Sequence, residues 1–184
     1  IVPATPSTID TLVLSINTDS VDPEGEAVRY HVSWTVDGVT AHSLVETAPE
    51  LTHRDERWEV LVTPDDGFQL GPTATAAVTI ANTPPQVDSI SLSPAGPDTD
   101  DTLTVSWTDS DIDGDTVTTT IDWTVNGTST GTTDTTLDGS RFDKNDLVEV
   151  ILTPDDGTDA GTSATASVTI DNTPPTDTAV DVTP

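Results

Sequence analysis

The chain has 184 residues, 33 of them Asp or Glu against five Lys or Arg, and a formal charge of −28 at neutral pH. A field of that sign repels nucleic acid and anionic membranes and offers no basic patch to either, so nucleic-acid partners are excluded and no direct membrane insertion is expected. Cysteine is absent, which excludes a disulfide scaffold.

The hydrophobic residues nevertheless alternate strictly, a pattern that disordered acidic segments lack. In chain order, the first strong element is Val28-Tyr30-Val32-Trp34-Val36, with the period of two of a half-buried strand. Asp37-Gly38 supplies the pair a tight hairpin requires. Trp58-Val60-Val62 and Ala74-Ala76-Val78-Ile80 read as two further strands, separated by the turn residues of Thr63-Pro64-Asp65-Asp66-Gly67. After Asn82-Thr83-Pro84-Pro85 come Ile90 and Leu92 in an opening strand, Leu103-Val105-Trp107, and Val117-Thr119-Ile121-Trp123-Val125 with its hairpin Asn126-Gly127. A strand pair is expected between Thr130 and Phe142, followed by Val148-Val150-Leu152 and Ala164-Ala166-Val168-Ile170. No segment carries a sustained helical stripe.

The second half repeats the first. Thr-Pro-Asp-Asp-Gly at 63–67 returns at 153–157, Asn-Thr-Pro-Pro at 82–85 returns at 172–175, and Trp34-Thr35-Val36-Asp37-Gly38 returns as Trp123-Thr124-Val125-Asn126-Gly127. A period this long is a whole domain rather than a solenoid turn. The expected fold is all-β: two tandem immunoglobulin-like sandwiches of about 90 residues and about seven strands each, end to end, over residues 1–82 and 84–175. Trp34 and Trp123 fall on the third strand, where that architecture buries its central tryptophan. Pro3-Ala4-Thr5-Pro6 matches Pro94-Ala95-Gly96-Pro97, so the first strand of the first repeat is expected to be truncated. Val180-Asp181-Val182-Thr183-Pro184 matches Ile90-Ser91-Leu92-Ser93-Pro94, so residues 176–184 read as the start of a third repeat or as an exchanged strand. A sandwich lacking part of an edge strand leaves backbone groups that invite pairing with another chain. Adjacent repeats of the same chain, and identical subunits joined by β-strand addition, are therefore the expected partners.

Chemistry-bearing residues concentrate in acidic loops. Asp109, Asp111, Asp113 and Asp115 place a carboxylate at every second position, with Gly114 permitting a sharp turn. Such charges disfavour one another unless a cation sits among them, and hard oxygen ligands suit Ca²⁺ as a structural cofactor. The spacing matches the first half of an EF-hand loop, but position twelve is Thr120, where a bidentate Glu is needed. In an immunoglobulin-like sandwich this loop lies at the same end as the one before the last strand, so Asp155, Asp156 and Asp159 are expected beside it. Asn82 in the linker should arrive there too, so that a bound calcium would convert a hinge into a strut. The first copy offers a thinner set: Asp22, Glu24 and Glu26, with Asp65 and Asp66. His31, His42 and His53 have no counterparts in the second copy and read as isolated surface histidines. Asn126-Gly127-Thr128 is a formal glycosylation sequon on an exposed hairpin. Asp65-Asp66 and Asp155-Asp156 are neighbours in a turn and cannot flank a substrate as a glycosidase pair must. No nucleophile–base set, phosphate loop or metalloprotease helix is present, so no enzyme activity and no catalytic residue are expected.

The run Asp109-Ser110-Asp111-Ile112-Asp113-Gly114-Asp115-Thr116-Val117, the tryptophan six residues on, the Thr-Pro-Asp-Asp-Gly loop and the closing Asn-Thr-Pro-Pro together resemble prokaryotic Ig-like repeats. These are the PKD- and cadherin-like modules of large extracellular surface proteins and adhesins, and the resemblance covers both complete repeats. It implies a non-enzymatic spacer at the cell surface, stiffened by calcium. A self-assembling subunit of a surface filament or lattice, and an accessory or carbohydrate-binding module of a secreted enzyme, remain as alternatives.

Overall fold

The computed structural model describes residues 1–175, so the expectation for residues 176–184 lies outside the described residues. The chain divides into two compact units, Ile1–Thr83 and Pro84 onward. In unit 1 the strands are β1 (Leu12–Val13), β2 (Arg29–Val36), β3 (Val39–His42), β4 (Glu46–Thr47), β5 (Arg57–Asp65) and β6 (Ala74–Thr79). In unit 2 they are β7 (Gln86–Ser93), β8 (Leu103–Ser110), β9 (Thr118–Val125), β10 (Thr128–Ser129), β11 (Thr136–Leu137), β12 (Leu147–Asp155) and β13 (Ala164–Thr169).

Unit 2 folds as two sheets, ordered β11-β8-β7 and β10-β9-β12-β13. Its first, second and fifth strands thus form one layer and the remaining four the other. Every strand pair is antiparallel, and the long central pair runs from Val148↔Val125 to Asp155↔Thr118. Unit 1 repeats the four-stranded layer as β3-β2-β5-β6, whereas its other layer is only β1-β4. The hairpins form where the sequence places them. Asp37 and Gly38 have φ of 48° and 83°, and Asn126 and Gly127 have 49° and 78°, the left-handed pair that a two-residue turn between twisted strands needs. The stretch from Thr130 to Phe142 departs from expectation. It holds one two-residue strand, β11, and then a 3₁₀ turn over Gly139–Arg141, capped by Asp138 Oδ1 accepting from the Ser140 amide. Leu137 and Phe142 are buried as isolated anchors, so this segment fills the core without a continuous strand.

Each unit has its own core. Leu103, Trp123, Leu137, Val148, Val150, Leu152 and Ile170 are fully buried in unit 2, and Leu12, Trp34, Trp58, Val60 and Ile80 in unit 1. The central tryptophans also satisfy their only polar atom, because Trp34 Nε1 donates to the Leu44 carbonyl at 2.8 Å and Trp123 Nε1 to the Asp134 carbonyl at 2.9 Å.

The units differ at one edge. In unit 2, β7 pairs with β8 over its whole length, from Gln86↔Ser110 to Ser93↔Thr104. In unit 1 the corresponding pairing is a single bridge, Val2↔Val13, closed by two backbone hydrogen bonds of 2.9 Å. Residues 15–19, which correspond to the outer half of β8, have no strand pairing among the described residues. A strand is kept extended by its neighbours, and β8 is paired with β7 as far as Ser110.

Candidate metal centre

The acidic loop of unit 2 follows β8. Asp111 Oδ1 accepts from the amides of Asp113 at 2.8 Å and Asp115 at 3.2 Å, so the first aspartate folds the loop around itself. Gly114, at φ 82°, makes the reversal that a side chain would strain. On the facing loop after β12, Asp156 Oδ1 accepts from the amides of Thr158 and Asp159, both at 2.7 Å. These two self-closed turns bring carboxylate oxygens of Asp111, Asp115 and Asp156 within 4.8 Å of one another, all three residues being half-buried. Asp111 Oδ2 is itself buried and has no hydrogen-bond partner among the described residues.

That orphaned oxygen is the test of fit for a cation. Three like charges at this spacing repel by roughly 1–4 kcal/mol per pair, and a buried carboxylate oxygen with nothing to accept from is costly. Calcium–oxygen distances of about 2.3–2.6 Å place ligands of one ion up to about 5 Å apart, so the donor set suits a hard divalent cation.

The other sequence-predicted residues fall elsewhere. Asp109 does not join the trio, because its Oδ2 accepts from Trp107 Nε1 at 3.0 Å and from Thr119 Oγ1 at 2.6 Å. Asp113 lies in the same loop but outside the converging group. Asp155 Oδ1 accepts from the Gly157 amide, and Asp155 and Asp159 are both exposed. Asn82 Oδ1 accepts from Arg54 Nη1 at 2.8 Å within unit 1. Asn126 is engaged at both ends of its carboxamide: Nδ2 donates to Asp146 Oδ1 and Oδ1 accepts from the Leu147 amide.

In unit 1, Asp22, Glu24 and Glu26 also bring carboxylate oxygens within 4.8 Å, in a more exposed setting. Asp22 Oδ1 accepts from three successive amides, those of Glu24, Gly25 and Glu26. Its hydrogen bond with Glu26 holds Asp22 below the ordinary value of 3.8, and the same contact pushes Glu26 above 4.5. Among the described residues, none from the facing loop joins the group. Asp66 Oδ1 is occupied by the Phe68 and Gln69 amides, and Asp65 pairs with His31 at 2.8 Å. Thr120, the counterpart of His31, instead donates to the Thr153 carbonyl.

The hydrogen bond from His31, then the Gly67 amide, hold the Asp65 carboxyl below 3.8. Because the folded value is depressed, the stability this pair contributes is present above about pH 4 and lost as the pH falls through the folded value. His31→Ala is expected to return Asp65 toward 3.8 in an NMR titration. An unmoved Asp65 would assign its shift to Gly67 alone.

One feature had no signal in the sequence. His42 packs between Trp34 and Trp58, with ring centroids 6.2 and 6.1 Å away, and its Nε2 lies 2.8 Å from the hydroxyl of fully buried Thr47. Thr47 stands where unit 2 has Leu137, so the histidine supplies the partner that a core hydroxyl needs.

By strand order the chain is a pair of immunoglobulin-like sandwiches. No family model matches it, and no curated protein matches it. Among solved structures it is similar to a segment of two fibronectin type III domains from chicken tenascin, at 14% identity and a TM-score of 0.39, covering 86% of this chain and 90% of that one. It is also similar to an amphioxus IgVJ-C2 molecule, at 11% identity and a TM-score of 0.36 over 91% and 99% of the two chains. The FN1–FN3 domains of chicken CNTN1 match at 13% identity and 0.35, over 80% of this chain and 55% of that one. Among the described residues, no helix is long and apolar enough to cross a membrane.

Proposed function

We propose that the chain is a non-enzymatic structural module of the PKD- or cadherin-like kind, a spacer in an extracellular surface protein, and that its second unit is braced by calcium. The observation that carries this reading is the convergence of Asp111 and Asp115 from one loop with Asp156 from another around a buried, unpartnered oxygen. The same end of unit 2 receives the entering chain, where Pro85 lies against Gly161. Asp111, Asp115 and Asp156 would hold the ion. It would supply positive charge among three converging carboxylates and tie the two loops that carry them. A second copy of the fold with an incomplete cluster fits a role set by number and reach, with the brace placed in one repeat.

Extracellular calcium modules bind with Kd of about 10⁻⁴–10⁻³ M. At ten times Kd such a site adds about 1.4 kcal/mol, which raises the melting temperature of a unit this size by roughly 6–11 °C. Calorimetric titration with CaCl₂ is expected to show one site in the wild type and none in the Asp111→Asn, Asp156→Asn double variant. Equal uptake by both proteins, or none by either at millimolar calcium, would reduce the cluster to a solvated acidic turn. EDTA should lower the melting temperature of unit 2 and leave the β content intact.

A further inference from the structure

Of the five asparagines in the chain, only Asn126 precedes a glycine, and both residues of that pair are exposed to water. The dipeptide carries a chemistry of its own. Glycine has no Cβ, so nothing shields its backbone nitrogen from the side chain before it. Once that nitrogen gives its proton to solvent, it can attack Asn126 Cγ. An N–Cγ bond forms, the Cγ–Nδ2 bond breaks, and ammonia leaves with the bonding electrons and a proton from solvent. Water then opens the cyclic imide at either carbonyl, and aspartate or isoaspartate stands in place of the asparagine.

The folded hairpin holds the carboxamide away from this reaction. Nδ2 donates to Asp146 Oδ1 at 2.7 Å, and Oδ1 accepts from the Leu147 amide at 3.0 Å. Ring closure needs Cγ to turn back onto its own peptide, which releases both bonds. Asp146 is fixed as the acceptor, because its Oδ2 takes the Asp143 amide at 2.7 Å. That amide, then Asn126, hold the Asp146 carboxyl below its ordinary value of 3.8.

Unit 1 shows what the product would meet. Its hairpin has Asp37 in this place, and Asp37 Oδ1 accepts from the Arg57 amide at 3.0 Å, as Asn126 Oδ1 does from Leu147. An aspartate thus serves the accepting half of the contact. The donating half is where the units differ. Glu56 stands at the position of Asp146, as the matching backbone bonds from Ile80 and Ile170 show. Its Oε2 accepts from the His53 amide and from Trp58 Nε1, both at 2.9 Å. Unit 2 has Val148 in place of Trp58 and lacks that donor. We infer that Asn126 is a deamidation site that the folded hairpin keeps closed, and that its conversion sets a carboxylate against Asp146 and loosens the hairpin from β12. A chain in which this hairpin has opened is thereby marked irreversibly, and the mark favours further opening. The inference is independent of the calcium site.

Incubation of the 184-residue chain in mildly alkaline buffer, with and without concentrated urea, tests this. Mass spectrometry of the peptide carrying Asn126 reads the exchange of an amide for a carboxyl. The reaction is expected to run at least about tenfold faster in urea, where no opening step precedes it. In buffer alone, Asp146→Asn should speed it severalfold, because the new carboxamide has one acceptor oxygen for the two donors that Asp146 serves. Asn126→Asp reproduces the aspartate product and should lower the melting temperature of unit 2 by about 4–8 °C, with unit 1 unmoved. Asn126→Asp combined with Asp146→Asn should regain the loss. In that double variant the amide at 146 donates to the carboxylate at 126 while its oxygen still accepts from Asp143, so donor and acceptor trade places. Equal rates in buffer and urea, no acceleration by Asp146→Asn, an Asn126→Asp chain that melts like the wild type, or a double variant no more stable than Asn126→Asp would each overturn the inference.

Discussion

Trp123→Ala is expected to destabilise unit 2 by about 3–5 kcal/mol, lowering its melting temperature by at least about 12 °C while unit 1 melts as before. The indole is fully buried among Leu103, Leu137, Val150 and Leu152, and its removal leaves a cavity that two hydrogen-bonded layers cannot close over. The Asp134 carbonyl also loses its donor, which adds to the cost. Differential scanning calorimetry should show one of two transitions displaced. Trp34→Ala should displace the other, since Trp34 donates to Leu44 in the same way and packs edge-on against Trp58 at 6.4 Å. Joint movement of both transitions in either variant would show that the two cores unfold as one.

Gly161→Ala should cost unit 2 about 1–3 kcal/mol or more, although alanine is ordinarily the smallest of changes. A Cβ at this position would fall on the Pro85 carbonyl oxygen and meet Pro154 Cγ at 3.0 Å. The entering backbone and the loop after β12 are packed too closely for any side chain. In unit 1, Gly71→Ala meets only Pro64, with Cγ 2.8 Å away and free to repucker, so its cost should be smaller. Urea unfolding of the two variants makes the comparison. Equal losses would mean that the approach of Pro85 contributes nothing to unit 2.

The long strands were legible because alternation over eight or nine residues has few other readings. Val28 to Val36 and Val117 to Val125 locate β2 and β9 within a residue or two. Asp37-Gly38 and Asn126-Gly127 located the hairpins because few residue pairs accept two positive φ angles. Strand β4 was not legible and β11 only as part of the strand pair expected between Thr130 and Phe142, since two residues carry no period and their partners are over thirty positions away. At the candidate metal centre, the approach of the loop carrying Asp111 and Asp115 to Asp156 followed from which loops share an end. The loss of Asp109 to Trp107 did have a signal: residues two apart on a strand share a face, so a half-buried indole N–H would find the carboxylate beside it. The His42–Thr47 contact had none, because it depends on how β3 and β4 pack against two tryptophans.

The tryptophans carry one last consequence, for synthesis of the chain. Neighbouring copies of one fold risk trading strands as they emerge, a characteristic failure of repeat proteins. Here Trp58 on β5 stands where β12 has fully buried Val148, and unit 2 places its second tryptophan on β8 instead, at Trp107. If β12 entered unit 1 it would leave a void the size of an indole. If β5 entered unit 2 it would drive that indole into the room of a valine. Either error costs several kcal/mol, so each nascent sandwich rejects its sibling's central strand, and two copies with the same turns and linkers still sort themselves correctly.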